Sequence, residues 1–85
     1  MTGPDIQVAD GQVTRYRGIR FGGVACIPAT RDAPGMIHVA VRHPGGELIA
    51  SLREGDTLPL LGQAWQVTAL HCRDRGWHAD LTRIA

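Results

Sequence analysis

Apolar residues along this chain recur in short alternating runs, each closed by a turn dipeptide. Ile6–Ala9 and Gln12–Tyr16 flank Asp10-Gly11. A hairpin is expected there, because a type I′ turn needs positive φ at both central residues and Asp-Gly tolerates it. Ile19–Ile27 follows, broken by Gly22-Gly23, where a bulge or a bend between sheets is expected. Thr30–Gly35 reads as a loop, and then come Met36–His43, Glu47–Arg53, Thr57–Leu60, Ala64–His71 and Trp77–Ile84. Turns recur about every ten residues, the rhythm of a sandwich or small barrel. With 11 Gly and 5 Pro spread over 85 residues, few windows remain in which a helix can run.

Register follows from the same pattern, since a slip of one residue sends every side chain of a strand to the opposite face. Between Met36–His43 and Glu47–Arg53, a loop with an even number of residues gathers Ile37, Val39, Val41, Ala50 and Leu52 on one face. An odd loop sets Val39 against Ser51 and Ile37 against Arg53. The even loop is therefore expected, with His43 opposite Leu48, Val41 opposite Ala50 and Val39 opposite Leu52. The outer face then carries His38, Ala40, Arg42, Ile49, Ser51 and Arg53. A two-residue turn at Leu61-Gly62 sets Leu58 against Trp65. The apolar phase slips between Val67 and Leu70, and a bulge near Thr68-Ala69 returns both to the core side. A four-residue loop over Arg73–Gly76 sets Cys72 against Trp77, His71 against His78 and Leu70 against Ala79. The expected fold is all-β: a compact antiparallel β-sandwich or partly open small barrel of about six to eight strands, one domain over residues 1–85.

Composition narrows the functional classes. A chain this short buries only about 60–65% of its unfolded surface, so each large apolar side chain matters. Trp65 and Trp77 read as core anchors, each indole N–H needing one acceptor. Nine basic residues against eight acidic ones argue against a dedicated nucleic-acid binder, which carries a basic excess. Every basic residue is Arg, with no Lys or Asn in the chain, a mark of GC-rich coding; Schiff-base chemistry on Lys is excluded. The first ten residues hold no apolar run like a signal peptide, and no stretch has the length of a membrane-spanning helix. Two cysteines, Cys26 and Cys72, are too few for a disulfide framework, so reduced thiols and a cytoplasmic address are expected, a Cys26–Cys72 bond being possible only if their two strands are neighbours.

Glu54-Gly55-Asp56-Thr57, then Gly62 and Trp65-x-Val67, then Trp77-x-x-x-Leu81-x-Arg83-Ile84 resemble an uncharacterised family of small bacterial all-β domains. Gly18-Ile19-Arg20-Phe21 fits the same pattern upstream, while Gly22-Gly23 and Cys72 fall outside it. These motifs are turns and core positions, so the resemblance implies a fold and no activity.

Candidate chemistry is sparse. His71 and His78 are expected as a cross-strand pair on the outer face, about 4.5–5.5 Å apart at Cβ. Asp80 lies two residues beyond His78 on the same face, and two imidazoles with a carboxylate suit zinc or copper. His38, Arg42 and Arg53 share a face that suits a carboxylate or phosphate. Arg15 and Arg17 are expected to project together, away from Tyr16. Ser51 is the only serine, and no G-x-S-x-G surrounds it. No phosphate loop, dinucleotide fingerprint or paired-carboxylate motif is present, and no cofactor is expected.

The reading that follows is a small non-catalytic accessory or protein-interaction domain, whose partner is another protein or a second copy in a homodimer. Two other classes stand beside it. One is a small-molecule-binding or catalytic barrel with a pocket lined by Phe21, Met36, Trp65 and Trp77. The other is a divalent-metal module on His71, His78 and Asp80.

Overall fold

The alternating runs form eight strands in the computed structural model, which describes residues 5–73 and 76–84. They are β1 (Ile6–Ala9), β2 (Val13–Tyr16), β3 (Ile19–Ile27), β4 (Met36–His43), β5 (Gly46–Leu52), β6 (Thr57–Leu60), β7 (Gln63–Arg73) and β8 (Gly76–Arg83). One four-stranded sheet runs β2-β3-β4-β5 and the other β1-β8-β7-β6, with every paired strand antiparallel. The fold is a β-sandwich in which strands follow one another in sequence order, β1 returning to close on β8. No helix occurs among the described residues, so none is long and apolar enough to cross a membrane.

The inner faces supply the core. Trp65, Phe21, Ile37, Leu81, Val39 and Val67 are fully buried, and no described polar or charged residue is buried with them. Tyr16 and Phe21 meet Trp65 edge-on, at ring-centroid distances of 4.9 and 5.3 Å, the orientation that the aromatic quadrupole favours. The side-chain nitrogens of Trp65 and Trp77 find no acceptor among the described residues. Among the described residues the expected indole hydrogen bonds are not made, and the Trp65 ring is held by its edge-on aromatic neighbours and the surrounding core.

Several registers are as the pattern requires. Leu58 opposes Trp65 across the Leu61-Gly62 turn, and both turn residues have positive φ, at 51° and 76°. The register of β7 on β8 shifts between Val67 and Ala69, after which His71 opposes His78 and Cys72 opposes Trp77. There the loop is tighter than expected, because Arg73 and Gly76 already pair; residues 74 and 75 lie outside the described part. Between β4 and β5 the loop is even but shorter than expected. His43 pairs Gly46, so Val41 opposes Leu48 and Val39 opposes Ala50. The Gly45 N–H donates to His43 Nδ1 at 3.1 Å, which helps the chain reverse over Pro44-Gly45.

The expected Asp10-Gly11 hairpin does not form. The chain does turn there, with the Gln12 N–H on the Ala9 carbonyl at 3.2 Å, but only Gly11 has positive φ. A type I′ turn needs both. β1 instead pairs with β8 and β2 with β3, so this turn carries the chain from one sheet to the other. The crossing is close. A Cβ on Gly23 would overlap the Ala9 carbonyl and press on the Trp77 ring. The hairpin geometry appears one turn later, at Arg17 and Gly18, with φ of 46° and 82°. Arg17 consequently leaves the face of Arg15 and sets its guanidinium 5.4 Å from the Tyr16 ring centroid.

The sheets meet again at residues 53–56. Asp56 Oδ2 accepts the Arg53 N–H at 2.8 Å, and Glu54 Oε1 accepts the Leu70 N–H at 3.1 Å beyond the bulge. Cys26 on β3 and Cys72 on β7 form a disulfide, with Cα atoms 5.9 Å apart. The expectation of reduced thiols is corrected by this bond, which joins one sheet to the other across 46 residues of sequence. Closing a loop of that length contributes about 4 kcal/mol in the chain-entropy account.

Adjacent glycines in β3 test the crossing. Gly23→Ala is expected to cost about 1–3 kcal/mol or more, as overpacking does. Gly22→Ala, whose Cβ would meet only ordinary contacts at 3.7–3.9 Å, should stay within about 1 kcal/mol of wild type. Urea denaturation of the two variants checks this; equal midpoints would contradict the crossing.

Candidate functional site

Because the strands pair in register, side chains on the outer face of the β2–β5 sheet fall into rows across all four strands. Val13 opposes Gly22, Gly22 opposes Ala40, and Ala40 opposes Ile49. Two residues along the strands, Arg15 opposes Arg20, Arg20 opposes Arg42, and Arg42 opposes Glu47. On the other side of the apolar row, His38 opposes Ser51, with Nδ1 and Oγ 2.9 Å apart.

Side-chain size turns the apolar row into a trough. Gly22 and Ala40 on the central strands form a low floor, while Val13 and Ile49 on the edge strands stand as walls, 62% and 70% exposed. The resulting groove measures about 530 Å³. Its arginine end is polarised. Arg42 donates from Nε to Glu47 Oε1 at 2.9 Å and from Nη2 to the same oxygen. Arg15 and Arg20 have no carboxylate within ion-pair distance among the described residues. A second groove, of about 490 Å³, lies between Pro28, Pro34, Glu54, Leu70 and the disulfide at Cys72; its one carboxylate is already held by the Leu70 N–H.

The residues singled out in the sequence are distributed otherwise. Phe21, Trp65 and Trp77 come together in the core, and Met36 does not join them; it pairs with exposed Ile27 on the outer face. None of the four lines either groove. His71 and His78 do meet, with ring centroids 4.5 Å apart. Asp80 sits beyond them with its Oδ1 accepting from Gln7 Nε2 at 3.1 Å. Among the described residues no three His, Cys, Asp or Glu side chains are grouped to hold a metal. His38, Arg42 and Arg53 are not brought together either, since the Ala40–Ile49 row separates His38 from Arg42 and Arg53 lies past the end of β5.

What the sequence reading missed is the row itself. Its signal was present in Arg17-Gly18: reading that dipeptide as the two-residue turn places Tyr16 opposite Ile19, and Arg15–Arg20 and Val13–Gly22 follow by counting. Ser51 and His38 make a hydroxyl–imidazole contact, but no carboxylate bonds to His38 among the described residues, so the third member of a nucleophile–base–orienter set is not assembled.

No family model, curated protein or solved structure matches this chain.

Two predictions separate core from site. Trp65→Ala and Trp77→Ala should each cost about 3–5 kcal/mol; an unchanged denaturation midpoint would return that indole to a binding role. Two imidazoles alone hold a metal weakly, so calorimetric zinc titration should give the same weak binding for wild type and His78→Ala. A tenfold tighter wild type would establish a metal site on His71 and His78.

Proposed function

We propose that this chain is a non-catalytic protein-interaction domain that engages its partner through the outer face of the β2–β5 sheet. The observation behind the reading is the distribution of exposed apolar side chains. Of six large apolar residues exposed among the described residues, Val13, Val24, Ile27 and Ile49 lie on this one sheet. Contiguous exposed apolar surface bordered by polar groups marks interaction sites. The inner faces are filled with side chains, which leaves the outer faces to carry recognition.

A partner other than a second copy fits this face better. A two-fold dimer brings the same patch together twice, and the only carboxylate in β2–β5 is Glu47, already paired with Arg42. Edge pairing is also blunted at three of the four edge strands, since β1, β2 and β6 are four residues each and β6 contains Pro59. The resemblance to the uncharacterised bacterial family is carried on the same terms: it implies a fold and names no activity. The cellular address belongs to the proposal too. The Cys26–Cys72 bond points to an oxidising compartment, where disulfides persist, against the cytoplasmic address expected from the sequence.

A photo-crosslinking amino acid placed at Ile49 in the native cells should give a discrete adduct, and one placed at exposed Thr57 on β6 should not. An adduct of twice the chain mass identifies a homodimer, and equal yields at both positions contradict the assignment of the face. Rapid alkylation of the protein in those cells should find Cys26 and Cys72 blocked; two free thiols would return the address to the reducing cytoplasm.

A further inference from the structure

The trough and the arginine row are two residues apart along the same strands, and that spacing has a chemical meaning. Side chains on one face of a strand repeat every two residues, about 6.8 Å. An extended peptide has the same repeat on its own face. A segment laid along β3 and β4 therefore sets one side chain over Gly22 and Ala40 while another, two residues away, reaches Arg15 and Arg20. The walls set the conformation of the guest. Val13 and Ile49 stand on strands three spacings apart, about 14 Å between backbones. Their side chains narrow that opening further, and a site repeating every two residues along the strands matches the period of an extended chain, not that of a helix. An extended chain fits.

The charges set its chemistry. Arg15 and Arg20 oppose each other directly and have no ion-pair partner among the described residues, whereas Arg42 is neutralised by Glu47. Guanidinium forks bind carboxylates with paired, charge-assisted hydrogen bonds. The groove is also partly open to solvent, unlike the enclosed pockets that hold small ligands. It suits a side chain carried in on a longer chain.

Resting on the interaction reading above, we propose that the partner presents an extended segment with an acidic residue and, two positions away, an apolar one. The carboxylate seats on Arg15 and Arg20, and the apolar side chain fills the trough between Val13 and Ile49.

A phage-displayed library of random twelve-residue peptides tests this, with the full chain immobilised as wild type, Arg15→Glu/Arg20→Glu, Gly22→Val and Ile49→Asp. All four sites are on the outer face, and a side chain at Gly22 starts from ordinary contacts, so equal thermal midpoints are expected. Wild type should enrich peptides with Asp or Glu two positions from a large apolar residue. The double charge reversal should replace the acid with Lys or Arg. A synthetic peptide from the wild-type selection should bind Gly22→Val and Ile49→Asp about tenfold more weakly or worse, as loss of a buried apolar contact predicts. Peptides that lack the acidic residue yet lose binding on Ile49→Asp overturn this inference and leave the interaction face standing. Peptides that bind Ile49→Asp as well as wild type, or no enrichment at all, overturn both.

Discussion

Between Ala9 and Gly23 the backbone of one sheet passes against the backbone of the other with no room for a side chain. That contact decides which strands pair. It draws β1 away from β2, sends it to β8, and leaves β2 as the outer strand of the other sheet. The Asp10 N–H donates to the Trp77 carbonyl at 3.0 Å, and the Gly23 N–H donates to the Gln12 carbonyl at 3.0 Å, so the corner also satisfies the polar groups that a chain leaving its sheet would otherwise strand. Just beyond the corner along β3, the Cys26–Cys72 bond holds the same two sheets together, with Cys72 opposite Trp77.

With the sheets closed in this way, alternation does the rest. Every second side chain is committed to a core around Trp65, and the remaining half faces outward in straight rows across the strands. On β2–β5 the outward half is unevenly built. In the Val13–Gly22–Ala40–Ile49 row small residues occupy the central strands and large apolar ones the edges, with three arginines and a single glutamate in the row beside it. A groove arises from residue size and register alone, without any loop to form it. Its recognition chemistry therefore depends on pairing register: a slip of one residue in β2 would put Thr14 and Tyr16 outside and bury Arg15.

Local signals made most of this legible. The Leu61-Gly62 turn, the bulge after Val67 and the His71–His78 pairing all follow from a few neighbouring residues and a period of two. The pairing of β1 and the disulfide were misread because they turn on contacts between residues distant in sequence, whereas the β4–β5 loop length and the Arg17-Gly18 turn are local. Asp10-Gly11 is a turn as its residues imply, but whether the flanking strands stay together is decided by Gly23. Cys26 and Cys72 are 46 residues apart, and nothing near either one says that their strands face each other. Of the candidate site, the β4–β5 half (Ala40, Arg42, Ile49) was visible on the outer face, while the β2–β3 half waited on recognising Arg17-Gly18 as the tight turn.

The central claim is that Val13 and Arg15 stand outside, in register with Gly22 and Arg20, and a nuclear Overhauser spectrum of the isotope-labelled protein tests it most directly. The account predicts strong contacts from the Val13 methyls to the Gly22 α-protons and from Ile49 to Ala40, with none from Val13 to the Trp65 indole. Contacts between the Val13 methyls and the Trp65 ring would contradict it, because they would place the apolar wall in the core and dissolve the groove.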